Sequence, residues 1–214
     1  ASAAQTLVID TTPPSAPVIN PITTPTNNER PTITGTGVTG DIITLFSGST
    51  GIGSTTVANG VWSITSPTLY QTNIITAKAT DQVGNVSAAS IAQTIVIDIN
   101  PPSIGSIQTY HFSWGAILNS VEDNAGGTVT VSSSAEAGQV VTITLNGNNY
   151  EGTMSGSNAI VNIPAARLQG LTNGQSYSVV ANVSDAAGNA ATPVTSASFL
   201  VDTSTPSISA IGTS

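Results

Sequence analysis

A near-identical ten-residue stretch occurs twice in the chain and limits what it can fold into. ASAAQTLVID (1–10) and ASIAQTIVID (89–98) match at eight of ten positions, and Pro-Pro-Ser follows each after two residues. A third, looser copy is SFLVDTSTPSI (198–208). Self-similarity at a fixed period indicates a tandem array. We therefore expect the last strand of a preceding repeat at 1–10, domains at 11–98 and 99–202, and a linker with the start of a following repeat at 203–214.

Short segments of alternating apolar and polar residues fill both expected domains. Examples are PTITGTGV and DIITLFS within 31–47 and NIITAKAT at 73–80. Asn59-Gly60 and Asn146-Gly147 predict type I′ hairpin turns, because such turns need positive φ at both central residues. About seven short strands in roughly 90–100 residues are typical of an immunoglobulin-like sandwich. The sequence predicts an all-β chain of two tandem immunoglobulin-like β-sandwich domains, end to end, with one possible helical turn at 165–171.

The charge balance argues against several classes of partner. The chain has 3 Lys+Arg against 11 Asp+Glu, a formal charge of −8, and no cysteine. An acidic surface repels phosphate backbones and anionic lipid, so we expect neither nucleic-acid binding nor membrane insertion. Without cysteine there can be no disulfide framework and no thiolate metal site. A β-rich chain with many Ser and Thr residues and few charges is typical of secreted proteins.

A five-residue loop, D-x-x-G-N, recurs at 81–85 and 185–189. In a seven-strand sandwich these are the FG loops, which share one pole with the BC loops (38–41 and 135–139) and with the incoming linker. Here that pole is called the upper pole. The acidic residues of the loops and linkers should gather there: Asp10, Asp41 and Asp81 at the first junction, Asp98, Glu136 and Asp185 at the second, and Asp202 at the start of a third.

Such gatherings of carboxylates need a neutralising partner. Like charges about 5 Å apart repel by about 3 kcal/mol at an effective dielectric constant of ~20. The available cationic side chains are Arg30, Lys78 and Arg167. Ca²⁺ instead takes carboxylate, amide and carbonyl oxygens together. One isolated D-x-x-G-N loop would be interpreted as a simple turn. Its recurrence beside a linker aspartate predicts calcium sites composed of loop and linker.

Several stretches resemble the bacterial Ig-like repeats of giant, type I-secreted surface adhesins. They are the linker VIDTTPPSAP, the strand RPTITGTG, the hairpin arm GVWSIT and the loop TAKATDQVGNVS, with longer variants in the second unit. The resemblance implies a stalk that is stiffened by calcium at its junctions and located on the bacterial cell surface, as in biofilm-associated adhesins. It implies these ligands: Asp10 with Asp81 and Asn85, and Asp98 with Asp185 and Asn189. Asn100 is a further candidate, in a linker (DINPP) that departs from the first (DTTPP).

Catalysis has little support in the sequence. His111 is the only histidine and is interpreted as a strand residue between Tyr110 and Phe112. The adjacent pair Glu122-Asp123 is expected to be solvated on a glycine-rich loop, with local calcium binding as the alternative. Lys78, the only lysine, points outward on the predicted strand, which argues against an isopeptide bond.

The main alternative function is a calcium-dependent glycan- or receptor-binding module. Sugar sites stack on exposed aromatic rings, and Trp62 and Trp114 are the candidates, although both are expected in the core. A third possibility is homotypic adhesion between repeats on neighbouring cells. The sequence favours a non-enzymatic stalk or extender segment. Its partners would be the neighbouring Ig-like repeats of the same chain, and a distal domain would contact host-cell or abiotic surfaces.

Overall fold

The computed structural model describes residues 9–207. The chain divides into two compact units, unit 1 (residues 1–99) and unit 2 (residues 100–214). Most of the strand predicted at 1–10 and the last residues of the predicted 203–214 segment lie outside the described residues. No helix in the described part is long and apolar enough to cross a membrane.

In its described part, residues 9–99, unit 1 is a β-sandwich of seven strands. One sheet has the order β1-β2-β5 and the other β4-β3-β6-β7, and all pairings within them are antiparallel. The strands are β1 (Val18–Ile19), β2 (Thr32–Thr36), β3 (Ile42–Ser47), β4 (Thr50–Thr56), β5 (Val61–Thr65), β6 (Thr72–Thr80) and β7 (Gln93–Val96).

The core of unit 1 follows from the period-2 alternation of its strands. In β5, Trp62 and Ile64 are buried while their neighbours are exposed, and in β6 Ala77 and Ala79 are buried on either side of the exposed Lys78. Trp62 is only 4% exposed, and its indole Nε1–H donates to the carbonyl of Thr36 at 3.1 Å. The prediction that Trp62 is a core residue is confirmed.

Unit 2 is also β-rich and has nine strands between residues 100 and 207, its described part. The long strand β11 pairs with β10 through Asn148–Thr153 and with β12 through Met154 and Ser155, so it connects the two halves of one six-stranded sheet. The strands are β8 (Ile117–Leu118), β9 (Gly127–Ser132), β10 (Val140–Leu145), β11 (Asn148–Ser155), β12 (Asn158–Ile163), β13 (Ser176–Tyr177), β14 (Val179–Val183), β15 (Val194–Thr195) and β16 (Phe199–Val201).

The sheets of unit 2 enclose an aromatic core. Their orders are β15-β14-β10-β11-β12-β9 and β13-β16-β8, and β16 runs parallel to β8. Trp114 is 5% exposed, stacks on Phe112 at 5.2 Å between ring centroids and meets Phe199 edge-on at 5.2 Å. The core position predicted for Trp114 is confirmed. The fold is thus an all-β immunoglobulin-like sandwich with little helix.

Both predicted hairpin turns are present. Asn59 and Gly60 have φ of 53° and 79°, and Asn146 and Gly147 have φ of 48° and 75°. The helical turn expected within 165–171 is α2 (Ala165–Leu168).

Two local predictions are wrong. His111 belongs to a 3-10 turn (Thr109–His111) and not to a strand. Its backbone N–H donates to the carbonyl of Gln108 at 3.0 Å, and its ring Nδ1 accepts the N–H of Gln108 at 3.0 Å. Glu122 and Asp123 lie in a short helix, α1 (Glu122–Ala125), and Asp123 is 8% exposed. The helix turns Asp123 away from solvent, so the expectation of a solvated pair fails for this residue.

Candidate functional site

The FG loop of unit 1 follows directly on β6 and is closed by its own backbone. The N–H of Asp81 donates to the carbonyl of Asn85 at 3.1 Å, and the N–H of Gly84 donates to the carbonyl of Asp81 at 3.3 Å. Gly84 has φ of +97°, a conformation that residues with a Cβ rarely adopt. The loop is therefore a well-formed turn.

The carboxylate of Asp81 accepts three hydrogen bonds from its own loop. Its Oδ1 accepts the backbone N–H groups of Val83 at 3.0 Å and Asn85 at 2.8 Å, and its Oδ2 accepts the side-chain Nδ2–H of Asn85 at 2.8 Å. Desolvation by burial acts to raise the pKa of Asp81. The hydrogen bonds from Asn85 and from the backbones of Val83 and Gly84 outweigh it and hold the pKa below its usual value.

The same loop contacts the incoming linker. The side-chain Nδ2 of Asn85 donates to the main-chain carbonyl of Asp10 at 3.2 Å, across 75 residues of sequence. The carboxylate of Asp10 points into its own turn, where Oδ1 accepts the backbone N–H of Thr12 at 2.9 Å. The linker and the FG loop are thus brought together through a main-chain carbonyl and not through the aspartate side chain.

Asp41, in the BC loop of unit 1, lies next to the FG loop. Ile42 pairs with Thr80 in the β3–β6 register, so Asp41 and Asp81 occupy the next opposed positions. Asp41 is only 6% exposed, and within residues 9–207 its buried Oδ2 has no hydrogen-bond partner. A buried anionic oxygen without a partner is costly and fits a cation ligand. Asp41 is therefore compatible with a role as a calcium ligand.

Unit 2 repeats the loop geometry. Asp185, 6% exposed, accepts the backbone N–H of Asn189 at 2.8 Å on Oδ1 and its side-chain Nδ2–H at 2.9 Å on Oδ2. The loop is closed by bonds from Asp185 N–H to the Asn189 carbonyl at 3.0 Å and from Gly188 N–H to the Asp185 carbonyl at 3.1 Å. Glu136 Oε2 accepts the N–H of Ala186 at 3.0 Å, so the BC and FG loops meet here as well.

The other predicted ligands lie along the outgoing linkers. The backbone N–H of Asp98 donates to the carbonyl of Thr26 at 2.9 Å within unit 1. The backbone N–H of Asp202 donates to the carbonyl of Leu118 at 2.9 Å, and its exposed carboxylate accepts the N–H of Ser204 at 3.2 Å. Asn100 is exposed at the start of unit 2.

The carboxylates do not form a dense cluster. Among the described residues there is no group of three or more His, Cys, Asp or Glu side chains that could hold a metal ion. A cation at the upper pole of either unit would therefore depend on amide and main-chain oxygens in addition to carboxylates. Ca²⁺ accepts such mixed oxygen ligands.

Two polar residues outside the predicted ligand set also have specific environments. Asp123 on α1 has a buried Oδ1 without a hydrogen-bond partner in the described part of the chain. Asn173 contacts the outgoing linker of unit 2 twice: its Oδ1 accepts the N–H of Thr203 at 2.8 Å, and its Nδ2 donates to Ser204 Oγ at 2.9 Å. The Asn-Gly pair at 173–174 predicts a turn, which gives no signal for contact with a linker.

Comparison with known proteins agrees with this architecture. Residues 19–99 match the sequence model of the family described as bacterial Ig-like domain. Unit 1 therefore carries a bacterial Ig-like domain, and the resemblance inferred from the sequence is confirmed there. A search of curated proteins found no match.

Solved structures similar to this chain include parts of bacterial adhesins. One is a Ca²⁺-stabilised adhesin with which an Antarctic bacterium binds ice (23% identity, 88% of this chain and 49% of that chain, TM-score 0.47). Another contains fibronectin(III)-like modules of Clostridium thermocellum CbhA (13% identity, 89% and 92%, TM-score 0.48). A third is an Ig-like domain of the M. primoryensis ice-binding adhesin (23% identity, 47% and 95%, TM-score 0.34). The chain spans about half, 49%, of the first of these.

Proposed function

We propose that the chain is a structural stalk or extender segment of a bacterial cell-surface adhesin. Its two domains, 11–98 and 99–202, would separate a distal binding domain from the cell and serve adhesion or biofilm formation without catalysis. The near-identical linkers at 1–10 and 89–98 support a tandem array. The family assignment of residues 19–99 supports a bacterial Ig-like repeat.

The observation that carries the proposal is the contact of the FG loop with the linker, from Asn85 Nδ2 to the Asp10 carbonyl at 3.2 Å. A domain that binds its own incoming linker limits the bending of the chain at that point. This is the mechanical property that a spacer needs. A receptor-binding module would instead require a side-chain arrangement directed at a partner molecule.

We further propose that Ca²⁺ stiffens these junctions. In unit 1 the buried Oδ2 of Asp41 is the best-supported ligand, and Asp10, Asp81 and Asn85 are the other candidates. In unit 2 and its linkers the candidates are Asp98, Asn100, Glu136, Asp185, Asn189 and Asp202. When bound, the ion would neutralise the carboxylates and cross-link loop oxygens to linker oxygens.

The glycan-binding alternative has less support. Trp62 and Trp114 are 4% and 5% exposed, so neither presents a ring face on which a sugar could stack. Stacking would fall on isolated tyrosines such as Tyr70 and Tyr110. A glycan array with this chain separates the two functions, because a spacer should bind none of the sugars.

Small-angle X-ray scattering of the chain in 2 mM Ca²⁺ and in chelator, roughly tenfold above a typical extracellular Kd, tests the stalk. We expect a longer maximum dimension and less flexibility with Ca²⁺, while circular dichroism shows both units folded in chelator. Identical dimensions and flexibility in the two conditions would refute the calcium part of the proposal.

A further inference from the structure

We infer that Asn85 is a latch that binds the incoming linker to unit 1 by hydrogen bonds and without a cation. The inference deepens the proposed stalk function, on which its biological use rests. The latch consists of the Asn85 carboxamide, the Asp81 carboxylate and the main-chain carbonyl of Asp10.

The geometry makes Asn85 a donor toward both partners. Its Nδ2 contacts Asp81 Oδ2 at 2.8 Å and the Asp10 carbonyl at 3.2 Å. Each contact atom is an acceptor with no proton to give, so the side-chain NH₂ group must face them. One amide carries two hydrogens, and both are used: one fixes the side chain to its own loop and the other holds the linker.

The orientation of the Asn85 side chain is fixed by its own loop. The backbone N–H of Asn85 binds Asp81 Oδ1 at 2.8 Å, and its carbonyl accepts the Asp81 N–H at 3.1 Å. Unit 2 contains the same arrangement between Asn189 and Asp185, at 2.8 and 2.9 Å. Because the middle residues of the two loops differ, the aspartate–asparagine pairing is a property of the D-x-x-G-N motif.

The two outgoing linkers also form main-chain hydrogen bonds with the domain that precedes them. Asp98 N–H binds the carbonyl of Thr26, and Asp202 N–H binds the carbonyl of Leu118, both at 2.9 Å. These aspartates are equivalent to Asp10 in the repeat. An aspartate at this linker position therefore contributes main-chain hydrogen bonds, which a chelator does not disturb.

A spin label on the linker tests the latch. The chain has no cysteine, so a single Thr11→Cys substitution allows specific labelling, and electron paramagnetic resonance reports the mobility of the linker. In EGTA we expect an ordered label in the parent chain. Asn85→Ala and Asn85→Asp should increase the mobile fraction about fivefold, the effect of one net hydrogen bond of about 1 kcal/mol.

A control variant isolates the contribution of the Asn85 amide. Asn189→Ala removes the matching amide from unit 2 and should leave the label at position 11 unchanged. A mobile label in the parent chain in EGTA, or an ordered label in Asn85→Asp, would overturn the inference.

Different results of this experiment would overturn the latch and the calcium proposal. A label that is ordered only with Ca²⁺ would overturn the latch and leave the calcium-stiffened stalk intact. A label that is ordered in EGTA and insensitive to Ca²⁺ would support the latch and overturn the calcium part. If the Asn85 variants do not fold, the side-chain NH₂ signal of Asn85 in the parent chain decides by NMR in EGTA: slow hydrogen exchange supports the latch, and exchange at the rate of free asparagine overturns it.

Discussion

The effect of Asp41→Asn on the stability of unit 1 should change sign when calcium is added. The Oδ2 of Asp41 is buried and has no hydrogen-bond partner in the described residues. A buried polar group without a partner costs about 1–3 kcal/mol, and more when it is charged. Asp41→Asn keeps a buried polar group at nearly constant volume but removes its charge, so only the part of the cost that the charge adds is recovered. The free energy of unfolding of unit 1 should therefore rise by at least about 1 kcal/mol in EGTA.

Calcium should stabilise the folded parent chain but not the Asp41→Asn variant. At a hundredfold excess over Kd, a ligand that binds only the folded state adds about 2.7 kcal/mol. Asp41→Asn removes the proposed ligand, so most of this gain should disappear. Parent and variant should then be close in stability with Ca²⁺, or the parent should be more stable.

Urea unfolding followed by tryptophan fluorescence measures both conditions. Each unit holds one tryptophan, so a Trp114→Phe background makes Trp62 the reporter of unit 1. Glu29→Gln, in unit 1 but outside the proposed ligand set, is a charge-matched control. Calcium should stabilise this variant as much as it stabilises the parent chain. The reasoning is refuted if Asp41→Asn destabilises unit 1 in EGTA, or if Ca²⁺ stabilises parent and variant equally.

Two further predictions concern the stability of unit 1. Gly35→Ala should cost about 3 kcal/mol, because the new Cβ would clash with the carbonyl of Val18 and with the Trp62 ring. Gly51→Ala, whose Cβ would have no neighbour nearer than 3.9 Å, is the matched control in the same urea experiment. The lowered pKa of Asp81 means that its contribution to stability is present above the unfolded value of 3.8 and is lost as pH falls through the lower folded pKa. Between pH 5 and pH 2 the free energy of unfolding should therefore fall more steeply for the parent than for Asp81→Asn. Parallel plots of this free energy against pH would contradict the hydrogen-bond assignment.

The sequence predicted those features that depend on local chemistry or on strict periodicity. The alternation in VWSIT placed Trp62 in the core, and the Asn-Gly pairs predicted the two hairpin turns. The D-x-x-G-N spacing predicted a turn shaped by Gly84, and strand counting placed Asp41 beside Asp81. Each of these follows from residues within one strand or one loop, together with the alternating direction of strands in a sandwich.

Features that depend on contacts distant in sequence could not be predicted in the same way. Strand counting placed Asp10 near the loop of Asn85, but the bond that joins these residues, 75 positions apart, uses the main-chain carbonyl of Asp10, which a pattern of side chains does not indicate. The burial of Asp123 results from helix α1, which packs beside α2 where the sequence indicated a glycine-rich loop. The 3-10 turn at His111 is a local feature that was also missed, because its bonds to Gln108, three residues earlier, do not follow from residue alternation.

The pairing of aspartate with asparagine in the FG loops follows from the scarcity of positive charge in this chain. With 3 Lys+Arg against 11 Asp+Glu, most carboxylates cannot be paired with a cationic side chain. An asparagine four residues later provides two donors, a backbone N–H and a side-chain NH₂, and its second amide hydrogen remains for the linker. A serine at this position would offer one hydroxyl hydrogen and could not hold both partners. Asp41 has no such donor in the described residues, so it is the position at which a cation would add most to the stability of unit 1.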